Sequence, residues 1–251
     1  MKIVKISYKK KIYWGVLRKE SIQLLKGSPF DALRFAKKKI PRLKSKLLAP
    51  ASPTKIVLVG LNYKDHAKEL NMKILKEPII FLKPPTSLVA HKQKIIYPKG
   101  VKQLDYEAEL ALVLKKKAKN ISPNKVKNYI LGYTCFNDVT ARDLQRQDVQ
   151  WTRAKSFDTF APCGPYLETD LNSNNLRITS YLNGSIRQDS STNNFIFSVY
   201  SLVSFISRIM TLYPGDIIST GTPSGVGPMN IGDSIEVEIE GIGRLKNTVS
   251  A

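Results

Sequence analysis

Asp105, Glu107 and Glu109 stand two residues apart in the stretch LDYEAELALVL, residues 104–114. On a strand, alternate side chains share a face, so the three carboxylates point one way while Tyr106, Ala108 and Leu110 point the other. Carboxylates crowded in this way repel one another. A hard divalent cation, which takes oxygen ligands, turns that repulsion into attraction. A solvated strand face is the alternative. Asp138 follows the apolar run Tyr133–Asn137. A carboxylate there, where a strand passes into a helix, is placed to join an ion held by the neighbouring strand.

Other residues offer acid–base and anion chemistry. In NYKDHAKEL, a helix capped at Asn62 puts His66 and Glu69 on one face, three residues apart. A carboxylate beside an imidazole orients it and raises its basicity, which is how water becomes nucleophilic at neutral pH. Thr140 and Asp143 read as a capping box, and Arg142 and Gln145 then share the first turns of the helix it opens. The Arg142 fork suits two-point binding of a carboxylate or carbonyl. Lys155 lies among Trp151, Phe157 and Phe160, an apolar setting that would desolvate and tune it. Lys83 reads equally well as a site residue or as surface, and His91, in a polar loop, reads as exposed. The Gly-rich loop GTPSGVGP, residues 221–228, has neither dinucleotide-binding nor P-loop spacing. Its backbone N–H groups and the Thr222 hydroxyl could still hold a carboxylate.

The elements that must position these residues are legible in outline. The chain has 251 residues, 42% of them hydrophobic, enough for a sizeable core. Residues 1–50 read as a small N-terminal domain: strands at Ile3–Tyr8 and Ile12–Leu17, then a basic helical piece near Phe30–Lys38. The segment APASP, residues 49–53, marks the boundary with a larger domain, 51–251. That domain begins with strands at Lys55–Val59 and Ile79–Leu82. A helix opened by Ser122-Pro123 and closed at Gly132 precedes the strand leading to Asp138. Asn183-Gly184 signals a hairpin, Val199–Met210 a core helix, and alternating Ile235, Val237 and Ile239 a strand paired with Arg244–Val249.

The formal charge of +20 is spread over lysine runs rather than attached to a nucleic-acid module, so it reads as a solvated surface and no nucleic-acid partner is expected. Cys135 and Cys163 form no metal or disulfide pattern, which fits a reducing compartment. The N-terminus lacks the apolar core of a signal peptide, and the apolar segment Val199–Tyr213 is broken by Ser201, Ser204, Ser207 and Arg208. A cytoplasmic protein without membrane contact is expected.

Taken in order, VGLNYKDHAKEL, FLKPPT, DYEAELALVL, GYTCFNDVTARDLQ, QWTRAKSFDTFAPCGP and LYPGDIISTGTPSGVGP resemble the blocks of the fumarylacetoacetate hydrolase family. The resemblance implies an α+β, mixed-β fold built on a β-roll, a homodimer, and Mg²⁺ at the site, with Mn²⁺ or Ca²⁺ as substitutes. It implies Glu107, Glu109 and Asp138 as metal ligands and Arg142, Gln145 and Thr222 as substrate contacts. Lys155, His66 and Glu69 fall on catalytic positions, whereas Asp105 falls on a variable one. Leu61 stands where some members carry an arginine for a distal substrate carboxylate.

The activity so implied is hydrolysis of a C–C bond in a β-diketo acid such as an acylpyruvate, with a 2-oxo acid gripping the ion. Isomerisation or decarboxylation of 2-hydroxy-2,4-dienedioates in aromatic catabolism is the alternative enzyme. A basic binding protein on an inactive enzyme core is the alternative of another class.

Overall fold

Ile3, Val4, Ile6 and Val16 are fully buried and Gly15 packs against Ile22, so the first hairpin, β1 (Lys2–Tyr8) and β2 (Lys11–Leu17), is buried away from its turn and exposed at it. An antiparallel meander continues through β3 (Ser21–Leu25) and β4 (Phe35–Pro41), and β5 (Lys46–Leu48) returns to pair with β1. The basic piece expected to be helical is β4. Its apolar residues lack the 3.6-residue period, Ile40 pairs with Ile22 in the core, and Lys37, Lys38 and Lys39 line a sheet edge, where lysines discourage further strand pairing. The computed structural model describes residues 1–251.

After the APASP segment come β6 (Ile56–Val59), α1 (Lys64–Glu69), β7 (Ile80–Lys83), β8 (Leu88–Ala90) and β9 (Lys94–Ile96). The acidic stretch is two strands, β10 (Leu104–Tyr106) and β11 (Ala108–Leu114), interrupted at Glu107. A 3₁₀ segment, Pro123–Tyr129, stands where an α-helix was expected, and Gly132 lies inside β12 (Ile130–Asn137). A Cβ on Gly132 would come within 2.8 Å of the Glu168 carbonyl oxygen, so that glycine serves close strand packing rather than helix termination. Next follow β13 (Thr140–Ala141), α2 (Arg142–Asp148), α3 (Thr152–Lys155) and β14 (Ala161–Glu168). The chain closes with β15 (Arg177–Leu182), β16 (Ser185–Ser191), α4 (Val199–Ile209), β17 (Ile217–Ser219), β18 (Gly227–Met229), β19 (Ser234–Ile239) and β20 (Gly243–Ser250). Asn183 and Gly184 have φ of 52° and 83°, the paired positive values of a tight hairpin turn.

The strands form a mixed twelve-stranded sheet, ordered β4-β3-β2-β1-β14-β12-β11-β17-β6-β7 with β5 and β8 paired at its side, a five-stranded sheet β16-β15-β19-β20-β9, and a three-stranded sheet β13-β10-β18. The N-terminal strands thus continue the main sheet through the β1–β14 pairing, Ile3 opposite Leu167. No helix is long and apolar enough to cross a membrane.

β11 explains the placement of the acids. Leu110, Leu112 and Leu114 pack with Ile178, Val237 and Val203 on one side, while Ala111 and Val113 pack with Ile3, Ile56 and Phe136 on the other. A strand buried on both faces reads as a continuous apolar run, and each large side chain so buried contributes roughly 1.5–3 kcal/mol. Glu109 shares the Ala111 face and is anchored at the head of this run.

Candidate active site

Glu107 and Asp138 meet because their backbones are clasped. Asp138 N–H donates to the Glu107 carbonyl at 2.9 Å, and Glu107 N–H donates to the Asn137 side-chain oxygen at 2.9 Å. Glu109, on β11, stands opposite Phe136 of β12. Carboxylate oxygens of Glu107, Glu109 and Asp138 all lie within 4.8 Å of one another, and all three residues are buried. Asp105, on the far side of the strand break, leaves this cluster to bind Arg142 Nε at 2.8 Å.

The surroundings split the three acids electrostatically. Burial opposes the charge on Glu107, but Lys155 and Arg142 overcome it and hold that carboxyl well below its usual range. Burial, then the neighbouring charge of Asp138, pushes Glu109 well above it, against the Ser219 hydroxyl and the Gly221 N–H that donate to Glu109 Oε2. Acids this close and this buried fit a divalent cation, which would remove the repulsion that raises Glu109. Asp138 Oδ1 supports the fit, being buried without a hydrogen bond of good geometry although Lys83 Nζ is 2.5 Å away.

Lys155 extends from α3 to Asp138 Oδ2 at 2.6 Å and Glu107 Oε2 at 3.0 Å. Burial disfavours its charge, yet Asp138 and Glu107 prevail and keep it protonated above the ordinary lysine range. Of the aromatic residues expected around it, Trp151 stacks edge-on against Phe81, whose ring lies 5.1 Å from Lys155 Nζ, while Phe157 and Phe160 belong to another cluster. Arg142 reaches Glu107 Oε1 at 2.5 Å and also holds Gln145. The capping box is absent: the Thr140 hydroxyl binds Glu107 and the Asp138 carbonyl, and Asp143 accepts from Lys102 and Gln103 N–H. Glu107, Lys102 and Gln103 are all far away in sequence, so tertiary contacts override the local motif.

His66 Nδ1 and Glu69 Oε2 are 2.7 Å apart, and Glu69 Oε1 accepts the Gly225 N–H at 3.0 Å. The expected Asn62 cap is absent. Tyr63 caps α1, and the Asn62 side chain spans Thr220 and Phe197, fixing the Gly-rich loop beside the helix. That loop does hold carboxylates, but they are the protein's own, Glu109 through Gly221 and Glu69 through Gly225. Gly221 and Gly225 have φ near +91° and +92°, and a Cβ at Gly225 would fall 2.2 Å from the Arg187 carbonyl oxygen.

Part of this cluster borders a cavity of about 210 Å³, with Glu69 and Glu109 standing behind its lining. Its polar side is His66, Glu107, Asp138, Arg142, Gln145 and Lys155, and its apolar side is Leu61, Leu70, Met72, Ile79, Phe81 and Trp151. Thr222 lies outside the lining. It is buried, donates to the Ala108 carbonyl and accepts from Gln188, which in turn accepts Ala108 N–H, so it braces the strand between Glu107 and Glu109. Lys83, which the sequence alone assigns to neither site nor surface, is buried. Its Nζ is buried against Asp138, Val139 O at 2.9 Å and Phe160 O at 2.5 Å, and burial, opposed by Asp138, draws it down to about 8. The clue was in the phase: Lys83 shares a strand face with Phe81, which lines the cavity.

The profile described as Fumarylacetoacetate (FAA) hydrolase C-terminal matches residues 55–250, and one described as Rv2993c-like, N-terminal matches residues 1–50. The chain belongs to the fumarylacetoacetate hydrolase family. A protein of Methanocaldococcus jannaschii is 60% identical over 197 residues, which cover 78% of this chain and 83% of that one. The mitochondrial oxaloacetate tautomerase Fahd2a of Rattus norvegicus is 43% identical over 222 residues, 84% of this chain and 71% of the relative. Among solved structures, 5-carboxymethyl-2-hydroxymuconate delta-isomerase from Mycobacterium smegmatis superposes with a TM-score of 0.95 at 36% identity, covering 100% of this chain and 99% of that one. Like its relatives in the fumarylacetoacetate hydrolase family, the chain is an enzyme, and its mixed-sheet α+β fold is theirs.

Proposed function

We propose that this member of the family is a divalent-metal-dependent hydrolase that cleaves the C3–C4 bond of a short acylpyruvate, giving pyruvate and a carboxylic acid. The observation that carries this reading is His66, paired with Glu69 at 2.7 Å and lining the same small cavity as Glu107 and Asp138. A Mg²⁺ ion held by Glu107, Glu109 and Asp138, with Mn²⁺ or Ca²⁺ as substitutes, would supply Lewis acidity to the carboxylate and 2-oxo oxygens of the substrate.

The chain's own groups do the rest. With Nδ1–H committed to Glu69, His66 Nε2 is the basic nitrogen and takes a proton from water. The water oxygen bonds to C4, where protonated Lys155 stabilises the developing negative charge. The C3–C4 bond breaks, its electron pair stays on the pyruvate fragment as an enolate, and the proton held by His66 is returned at C3. Arg142 and Gln145 orient the acid end. The apolar wall, with Leu61 in it and no cation, favours an uncharged acyl tail over a second carboxylate. The same reading takes the working form as a cytoplasmic homodimer, which the particle mass in solution checks.

The names of the rat and mycobacterial relatives favour a second reading, in which the cavity moves a proton between carbon and oxygen and breaks no C–C bond, or decarboxylates. Pyruvate release from a panel of acylpyruvates, with Mg²⁺, Mn²⁺ or EDTA, separates the two. Under the first, release needs the metal and falls about 10²–10⁴-fold in His66→Ala. No release from any acylpyruvate, alongside enol–keto conversion of oxaloacetate, would decide for the second.

A further inference from the structure

A second and larger cavity, about 860 Å³, lies where the N-terminal strands meet the turn after β8 and shares no lining residue with the candidate active site. Its charged lining is Lys19, Arg42, Lys46 and Lys92 against the single acid Glu20, with His91 beside them. None of these five charged residues takes part in an ion pair, although Arg244 and Lys246 on neighbouring β20 are matched to Glu236 and Glu238. Unneutralised cations gathered in a concave wall focus their field into it.

The polar groups are also held as donors. His91 was expected to be exposed and is instead partly buried; its Nδ1 accepts the Lys246 N–H at 3.0 Å, so the ring proton sits on Nε2. Lys92 N–H binds the Lys246 carbonyl at 2.7 Å and the lysine has a φ of 63°, a left-handed conformation that glycine would adopt with less strain. The turn is thus zipped to β20 with a lysine retained at its tip. Arg42 makes one side-chain hydrogen bond, to Tyr166 Oη at 3.1 Å, and its remaining guanidinium N–H groups have no protein partner.

We infer that this cavity is a binding site for a polyvalent oxyanion of the oligophosphate type. A guanidinium fork beside several lysine point charges matches phosphate oxygens, and the volume lies within the range of roughly 300–1,000 Å³ typical of small-molecule sites, larger than one phosphate fills. Such a ligand would bridge the N-terminal strands and the turn between β8 and β9, both of which line the cavity.

The chain has two histidines, His66 and His91, so ¹⁵N-histidine labelling reports on each cavity separately. Protein in about 150 mM KCl at neutral pH, without added divalent metal, is titrated with tripolyphosphate, with citrate and with a short DNA duplex. The expected result is a saturable shift of the His91 ring signals by tripolyphosphate with Kd below about 1 mM, at one ligand per chain, while His66 stays still. Citrate should bind at least about tenfold more weakly, and Arg42→Ser/Lys92→Gly should weaken tripolyphosphate about tenfold while turnover at the other cavity is unchanged. A shift linear in concentration, one matched by extra KCl, or an unaltered response in the double variant would overturn the site. Movement of His66 instead of His91 would do the same. Equal binding of citrate would overturn the oligophosphate assignment, and tighter binding of the duplex would replace it with a nucleic-acid surface.

Discussion

The Lys83 ammonium stands 2.5 Å from Oδ1 of Asp138, and neither side chain is more than 1% exposed. Lys155 grips the other oxygen of the same carboxylate at 2.6 Å. Asp138 is therefore held from both sides, and Lys83 adds bonds to the Val139 and Phe160 carbonyls that fix where the carboxylate points.

Removing one member of a buried pair costs about 3–5 kcal/mol when the other is left without a partner, an upper bound here because Asp138 keeps Lys155. Lys83→Met is expected to lower unfolding stability in urea titrations by no more than that amount. Lys83→Met/Asp138→Asn should recover part of the loss, because the double variant buries no lone charge. Additive losses in the cycle would show that the two residues do not depend on each other.

Gly225 links the Gly-rich loop to the acid–base pair, since its N–H binds Glu69, and the Arg187 carbonyl oxygen 2.2 Å from where a Cβ would stand leaves no room for a side chain. Gly225→Ala must move the Arg187 carbonyl or the loop, and Glu69 then loses one of its two anchors. Glu69→Gln keeps the shape but weakens the hold on the imidazole. Both variants are expected to lower kcat about tenfold or more with a smaller change in KM, as His66 loses orientation rather than substrate contact. An effect confined to KM would place the pair outside the proton-transfer step.

Much of this site was readable before any coordinates, because its residues sit on local patterns. Acids two apart on a strand, His and Glu three apart on a helix, and Arg and Gln three apart on the next helix each carry their geometry with them. What was not readable is what the third dimension decides. The expected cap of α1 and the capping box of α2 both failed because Asn62, Thr140 and Asp143 found partners far away in sequence. Asp105, on β10 beyond the strand break at Glu107, departs from the expected shared face and binds Arg142 instead. Lys83 could not be assigned because a lysine before two prolines looks the same on a surface as in a core. β4 is a strand rather than a helix because three consecutive lysines carry no helical period and its pairing with β3 decides its conformation.

Cys135 and Cys163 lie on adjacent strands, β12 and β14, fully buried and not bonded to each other. Burial pushes the Cys135 thiol up to about 12 and raises Cys163 as well, chiefly by burial and then by Cys135 nearby. Since the thiolate is the reactive form, neither should react with a disulfide reagent at pH 8 in the folded protein, and both should react in guanidinium. Rapid labelling of either thiol under native conditions would mean that this part of the sheet opens far more readily than its packing indicates.

His91 gives the fold a pH dependence whose sign follows from its surroundings. Burial, then Lys92, Arg42 and Lys246, lower its pKa from 6.5 to about 4 against the opposing charge of Glu236. Above pH 6.5 the ring is neutral in both the folded and the unfolded chain, and its contribution to stability is complete. Between 6.5 and 4 the unfolded chain takes up a proton that the folded chain refuses, so stability falls as the pH falls through that window. The loss is at most about 3 kcal/mol, and solvent screening of a partly exposed ring makes it smaller. His91→Asn keeps an acceptor for the Lys246 N–H and does not titrate. Urea unfolding of both proteins at pH 7.5, 6 and 5 should show the wild type losing more stability than the variant at each step down, whereas parallel curves would mean that His91 is as free to protonate in the fold as outside it.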